Sequence, residues 1–518
     1  MKKILVLLLV LSMILTGCNG GKNNEPSNQT STGDEETSEK VQKDTLIFAQ
    51  GADVTSFDPH VGKETPAITV TDQIFDTLTS TDDDMNVQPG IAESWEQLSE
   101  TSYKFKLRED VKFHNGEPLT AEDVKFSLDR AVASSYVSYI VNFISDVEVV
   151  DDYTVIVNTH EPYAPILMNL AHPSTGIVCK SVVEDDPDSL KVKPIGSGPY
   201  KFVEWKQGDS VKLEAFEDYY LGEPPTKYVV MRVIPENAQR TIALETGEID
   251  IAYDLSANDI DKVKENDKLD VLTTKTSSVG YISFNVEKAP FDDVRVRQAI
   301  AHAIDKELII ETLLYGQGAV ANSVISEVVF GGVEGLEGLE YNPEKAKELL
   351  KEAGVKEGTE FTICVNDNQV RIETCQVIQG LLNDIGLNLK IEVLEFGALI
   401  EKTTKKQHDL AFFAWVTSTS DADYTYYPLF HSSMHGAPGN RSFYSNPEVD
   451  KLIEAGRTNS DYAEREKIYK EIAEILAEEV PSLPIFFQNM SVGINKNVEG
   501  FNINPIGYHK LHTVKVYE

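Results

Sequence analysis

The 518 residues include 84 acidic and 47 basic side chains, a formal net charge of -37, which disfavours nucleic acid and anionic bilayers as binding surfaces. Four cysteines, Cys18, Cys179, Cys364 and Cys375, are too few and too scattered for a disulfide framework. Cys364 and Cys375 are read as free buried thiols, a pair between them being the open alternative.

The chain opens with Met1-Lys2-Lys3 and an apolar run from Ile4 to Leu15, too short to remain in a bilayer as a spanning helix, and residues 1–17 read as a signal peptide. Leu15-Thr16-Gly17-Cys18 resembles the bacterial lipobox, in which the cysteine thiol receives a diacylglyceryl group after cleavage. Cys18 is therefore the expected lipidation site, with two or three acyl chains as a firm anchor. Residues 18–43 are Asn, Ser, Thr, Gly, Glu and Lys with hardly an apolar side chain, which makes them a tether rather than a domain. The body that follows is placed on the outer face of the cytoplasmic membrane, extracytoplasmic or periplasmic, touching the membrane through the anchor alone.

In that body the pattern alternates between strand and helix. Thr120, with Asp123 three residues on, starts a helix that buries Val124, Leu128 and Ala131. Asn342-Pro343 supplies a cap and a first-turn proline ahead of Ala346, Leu349, Leu350 and Ala353, and Gly354 closes that helix. Phe361, Ile363 and Val365 alternate as a strand. A helix with Val377, Ile378, Leu381, Leu382 and Ile385 on one face stops at Gly386, and Leu387, Leu389, Ile391 and Val393 alternate again. That is a strand-helix-strand crossover, and the class is α/β with a mixed sheet.

Ala92-Glu93-Ser94-Trp95 and the long run from Phe105 to Val124, with Phe113-His114-Asn115-Gly116-Glu117-Pro118-Leu119-Thr120 at its centre, resemble the family 5 extracellular solute-binding proteins of ABC importers. Gly196-Ser197-Gly198-Pro199-Tyr200, Val294-Arg295-Val296-Arg297-Gln298-Ala299-Ile300 and Tyr444-Ser445-Asn446-Pro447-Glu448-Val449-Asp450 add to it. The glycines, Pro118 and Asp123 in these motifs read as scaffold. The resemblance implies a type II periplasmic-binding-protein clamshell of two lobes plus an additional inserted domain. Its implied boundaries are 44–85, 193–286 and 490–518 for lobe I, 86–192 for the additional domain, and 287–489 for lobe II. It also implies ABC permease and ATPase subunits as partners, a short peptide or peptide-like ligand, and a monomer.

The ligand residues are sought where an apolar strand, Leu410-Ala411-Phe412-Phe413, gives way to Trp415-Val416-Thr417-Ser418-Thr419-Ser420-Asp421-Ala422-Asp423-Tyr424. In peptide-binding relatives an aspartate three residues after the tryptophan meets the peptide's ammonium, and here that position is Ser418. The pattern from Thr419 to Asp423 resembles glutathione-binding members. Asp421 and Asp423 are the carboxylates within reach, Asp421 being either a ligand contact or a loop cap. Trp415 and Tyr424, with Tyr426 and Tyr427 beside them, are candidate walls, at least two of the four belonging to the core. Arg441 is the candidate for a ligand carboxylate, since a guanidinium fork binds one through two parallel hydrogen bonds.

No cofactor is expected, and no resident metal. The signatures of serine hydrolases, phosphate-binding loops and zinc proteases are absent from the sequence, so the expectation is not an enzyme. His431 and His435 keep nickel or metal-chelate capture as an alternative, although Gly436, Pro438 and Gly439 argue for a loop there. An extracellular sensor or adhesion lipoprotein is a further alternative.

Overall fold

The computed structural model describes residues 41–62, 64–437 and 439–518. The signal peptide, Cys18 and nearly all of the tether lie outside the described residues. Chain pairing starts at once: Gln42 bridges Tyr517, and the Lys43 amide donates to the Val516 carbonyl at 2.8 Å. Among the described residues no helix is long and apolar enough to cross a membrane.

The fold is mixed α/β. One sheet of eleven strands runs in the order 387–394, 359–366, 410–416, 269–284, 482–495, 251–252, 45–50, 228–233, 210–215, 200–206, with Gly318–Val320 pairing to 482–495 off this path. A separate four-stranded antiparallel sheet contains Ala92–Ser99, Ser102–Leu107, Thr154–Thr159 and Ile144–Asp151. The helix Ala121–Ala133 covers it, started by the reciprocal Thr120–Asp123 capping box that the sequence predicts. Val124, Leu128, Phe105 and Val155 are fully buried in its own apolar core, each contributing about 1.5–3 kcal/mol of transfer free energy.

Two long strands, Leu269–Phe284 and Ser482–Asn495, run the length of the large sheet antiparallel to one another. Their register holds from Leu269↔Asn495 to Lys275↔Asn489 and resumes at Val279↔Phe487, so Thr276, Ser277 and Ser278 stand opposite Gln488 alone. Such a bulge bends a strand and increases its twist. On one side of it Val492 and Ile494 pack with Leu46, Phe48 and Met231; on the other Leu483, Ile485 and Ile282 pack with Phe361, Ile363 and Phe412. The same two strands thus feed two different cores.

The predicted crossover is present. Thr359–Asn366 and Leu387–Leu394 pair in parallel, joined by the helix Gln369–Asp384. Ile378, Leu382 and Ile385 are buried as expected, with Thr374 and Cys375 beside them, whereas Val377 and Leu381 are only partly covered; Asn368 caps the helix by accepting from the Arg371 amide at 3.1 Å. Cys179, Cys364 and Cys375 are free and buried.

Candidate functional site

The parallel strands Thr359–Asn366, Leu387–Leu394 and Leu410–Val416 end on the same side, the end of an open α/β sheet where ligand contacts collect. Leu410 to Phe413 are buried, Ala414 and Trp415 half-buried, and Val416 exposed. The Trp415 indole donates to Thr425 Oγ1 at 2.9 Å, and that hydroxyl meets Thr417 Oγ1 at 2.8 Å, which fixes the ring at the strand's end. Tyr424 packs against Trp415 with ring centroids 5.8 Å apart and against Tyr139 at 6.3 Å. Tyr508 faces the same space; burial and the neighbouring Tyr139 and Tyr424 hold its phenol neutral, well above the ordinary tyrosine range. His172 Nδ1 accepts from the Ser174 amide at 3.1 Å, so Nε2 carries the proton and donates to the Tyr508 oxygen at 3.4 Å. The Tyr508 O–H is left to donate elsewhere.

The turn Thr417–Ser420 is strained. Ser420 has φ 60°, in the left-handed region that costs a serine about 1–2 kcal/mol. It is held there because Phe330 clamps the turn from both sides, its amide donating to the Ser420 carbonyl at 3.0 Å and its carbonyl accepting from the Ala422 amide at 2.9 Å. The buried hydroxyls of Thr419 and Ser420 have no hydrogen-bond partner and border a small polar pocket shared with Asp72, His172, Tyr508 and Lys510. An unsatisfied buried hydroxyl costs about 1–3 kcal/mol, a debt that a polar ligand group removes.

The two carboxylates of the loop face away from that pocket into the protein. Asp421 is fully buried and accepts from Arg465 Nη2 through both oxygens at 2.8 Å, from the Tyr469 hydroxyl at 3.2 Å and from the Asp423 amide at 3.0 Å. Arg465, equally buried, also donates to the Gly456 carbonyl at 2.8 Å and lies under the Phe330 ring. This ion pair corrects the expectation that Asp421 meets a ligand's ammonium: its charge is neutralised from a helix 44 residues away in sequence. Asp423 lies 3.7 Å from Arg457 Nε and 3.4 Å from the Tyr163 hydroxyl, at the seam with the segment that carries the four-stranded sheet. Burial pushes its carboxyl up to about 6 against the pull of Arg457, and Oδ1 has no hydrogen bond. Tyr426 is fully buried in the core, and Tyr427 supports Arg457, whose guanidinium lies 3.6 Å from the ring centroid.

Arg441 stands where a carboxylate can reach it. It is half-buried, 5.7 Å above the Phe413 ring; Nη1 donates to the Gly439 carbonyl at 3.3 Å, and Nε has no partner. Sequence reasoning missed its companion, Arg371, in the first turn of the helix Gln369–Asp384, where Nη1 donates to Asn366 Oδ1 at 2.9 Å. Both guanidinium groups act on the Tyr281 phenol, and burial lowers the pKa of each from the ordinary arginine value. Among the described residues neither forms an ion pair with a carboxylate. Tyr281 and Phe413 are register partners, and Trp415 lies two residues further along the same face, about 7 Å away. The signal for Arg371 was its place behind the Asn368 cap at the end of an alternating strand. For Tyr139, His172 and Tyr508 no local signal exists, since distant segments bring them in.

His431 and His435 do not share a helical face. His431 ends the helix Asp423–Phe430 and bonds Ser433 Oγ at 2.7 Å and Glu454 at 3.3 Å, whereas His435 Nε2 bonds the Tyr444 carbonyl at 2.9 Å. Among the described residues no group of three or more His, Cys, Asp or Glu is placed to hold a metal ion.

Residues 86–436 match the model of bacterial extracellular solute-binding proteins, family 5 middle. The oligopeptide-binding protein AppA of Bacillus subtilis is 30% identical over 97% of this chain and 96% of its own. The glutathione-binding protein GsiB of Pectobacterium atrosepticum is 31% identical over 89% of this chain and 91% of its own. Among solved structures, HbpA2 from Haemophilus parasuis superposes with a TM-score of 0.85 at 28% identity, covering 92% of this chain and all of that one.

Proposed function

Because the chain belongs to the bacterial extracellular solute-binding proteins of family 5, which bind solutes and are not enzymes, we propose that it captures short peptides, glutathione-like ones included, for an ABC importer. In this reading Cys18 carries the lipid anchor, the body is monomeric, and a membrane permease with its ATPases takes over the ligand. Residues 44–85, 193–286 and 490–518 form one lobe, 287–489 the other, and 86–192 the additional domain. The lobes close about the bulge at Thr276–Ser278, where the two long strands pass from one core to the next.

The observation that carries the peptide reading is the pair Arg371 and Arg441, half-buried and without carboxylate partners at the carboxyl ends of parallel strands. Two such charges attract an anion of the size of a peptide carboxylate. Trp415, Tyr424, Tyr139 and Tyr508 supply flat walls that accept varied side chains, and the free hydroxyls of Thr419 and Ser420 suit main-chain amides. The names of AppA and GsiB agree with a peptide-like ligand, and a solved AppA structure, 29% identical to this chain with a TM-score of 0.74, holds a nonapeptide.

Thermal melting with peptide pools, alongside solution scattering, tests the proposal. A binding peptide raises the melting temperature by mass action and reduces the radius of gyration. A shift with nickel and none with any peptide pool contradicts it. Cys18→Ala is expected to release the protein from the membrane fraction with unchanged melting; full retention contradicts the anchor.

A further inference from the structure

The small pocket beside Thr419 and Ser420 does not end there. Asp72, Thr77, Thr81, Asn504, Tyr508 and Lys510 line both it and a larger cavity of about 450 Å³ behind it, within the range of small-molecule sites. Asp72, which caps the helix Thr65–Thr71, and Asp76, one turn further on, form its acidic wall. Each has one buried oxygen, Oδ2, with no hydrogen-bond partner. Asp76 Oδ1 accepts from the Tyr219 hydroxyl at 3.3 Å, and the Ser197 hydroxyl also acts on this carboxylate. Lys510 lies near enough to act on both carboxylates yet bonds Ser80 Oγ at 2.5 Å and the Thr81 carbonyl at 3.5 Å, and pairs with neither. Phe75, Tyr219, Tyr220 and Tyr508 give the cavity aromatic faces.

Two half-enclosed carboxylates with vacant acceptor oxygens among aromatic faces make a receptor for an organic cation, since an ammonium or guanidinium group supplies the missing donors and is attracted to the rings. The loop carboxylates are excluded from that role, Asp421 being paired with Arg465 and Asp423 facing Arg457. We propose that this cavity receives the positively charged group of the ligand, an α-ammonium or a Lys or Arg side chain, held by Asp72 and Asp76. The inference rests on the peptide reading above and names the substrate class: peptides with a cationic group opposite the carboxylate end. Supporting it, burial raises Asp72 to about 6 and Asp76 to about 7, Lys510 opposing in both, so that a bound cation restores ionisation and releases protons. The other ionisable groups facing the cavity are Asp82 and Asp83 on the hairpin, Tyr219, Tyr220, Tyr508 and His512.

Calorimetric titration with four peptides tests it: tri-alanine, N-acetyl-tri-alanine, Ala-Lys-Ala and N-acetyl-Ala-Lys-Ala. If the α-ammonium occupies the cavity, acetylation of tri-alanine weakens binding tenfold or more. If the side chain does, N-acetyl-Ala-Lys-Ala binds at least tenfold more tightly than N-acetyl-tri-alanine. Either preference is expected to vanish in Asp72→Asn/Asp76→Asn, with N-acetyl-tri-alanine bound as before within about twofold. Lys510→Met, which removes the competing cation, is expected to enlarge the preference and covers the case in which the double variant fails to fold. Peptide binding with no cationic preference in the wild type, or a preference unchanged in the variants, overturns the inference and leaves the peptide reading standing. Absence of binding by all four peptides overturns both.

Discussion

Arg465 and Arg441 lie 24 residues apart in sequence and meet opposite fates. Arg465 is fully enclosed and shares its charge with Asp421, Tyr469 and the Gly456 carbonyl; Arg441 is half-enclosed and its guanidinium is bonded only to a carbonyl, and each has one nitrogen without a partner, Nη1 and Nε. Desolvating a guanidinium is costly, and the Asp421 carboxylate offsets that cost inside the fold. Arg441 and Arg371 remain partly hydrated and have no carboxylate partner among the described residues; under the proposed function a ligand supplies it. A charged side chain near the cleft is assigned to structure or to ligand by its partner, not by its residue type or its distance from a motif.

The largest effect expected from breaking that contrast is at the compensated pair. Arg465→Met leaves Asp421 buried without a counter-charge and is expected to lower stability by about 3–5 kcal/mol in urea unfolding. Arg465→Met/Asp421→Leu should recover most of it; no recovery would mean that the pair acts through packing alone.

Next in size are the uncompensated arginines. Arg371→Met and Arg441→Met are each expected to weaken a free-carboxylate peptide by about 2 kcal/mol, while the unliganded protein keeps its melting temperature. Equal weakening of the amidated peptide would show that the residues shape the cleft without meeting the carboxylate.

A third test uses pH. For Asp72 and Asp76 the folded pKa is raised from 3.8 to about 6 and about 7, so the native state holds more protons than the unfolded chain between about pH 4 and pH 7. Their contribution favours folding at low pH and is lost as pH rises through that window. Buried neutral His60, His172 and His509, lowered to about 4, about 3 and about 3, have the opposite sign: stability present above pH 6.5 is lost as pH falls. The diagnostic is therefore a difference. Asp72→Asn/Asp76→Asn should gain several kcal/mol, up to about 6 kcal/mol, relative to wild type on going from pH 4 to pH 8. A constant difference across that range contradicts the assignment of unpaired carboxylates.

The smallest effect is at the turn. Ser420→Gly relieves the φ of 60° and is expected to stabilise by about 0.5–1 kcal/mol, set against the flexibility that glycine adds to the unfolded chain. A loss of stability would show that the Ser420 hydroxyl is bonded after all.

Local chemistry was legible in the sequence. The Thr120–Asp123 box, the Asn342 cap with Pro343, and the strand-helix-strand crossover depend on neighbours within a turn or an alternation, and all three are present. The site was legible only in part. Trp415, Tyr424 and Arg441 lie at the end of the strand where the sequence placed them, while of the two roles open to Asp421 the structure shows the loop cap, with its charge partner Arg465 beyond a loop and a helix. Asp72 gave no signal, since the segment that closes its cavity, Asn504 to His512, is more than 430 residues downstream. Long-range charge compensation leaves no local periodicity to read.

The central claim is that uncompensated arginines hold the ligand's carboxylate. Its most direct test is a calorimetric comparison of one peptide as free acid and as amide, on wild type and on Arg371→Met/Arg441→Met. The prediction is that wild type prefers the acid by tenfold or more and that the double variant binds both alike; an undiminished preference in the double variant contradicts it.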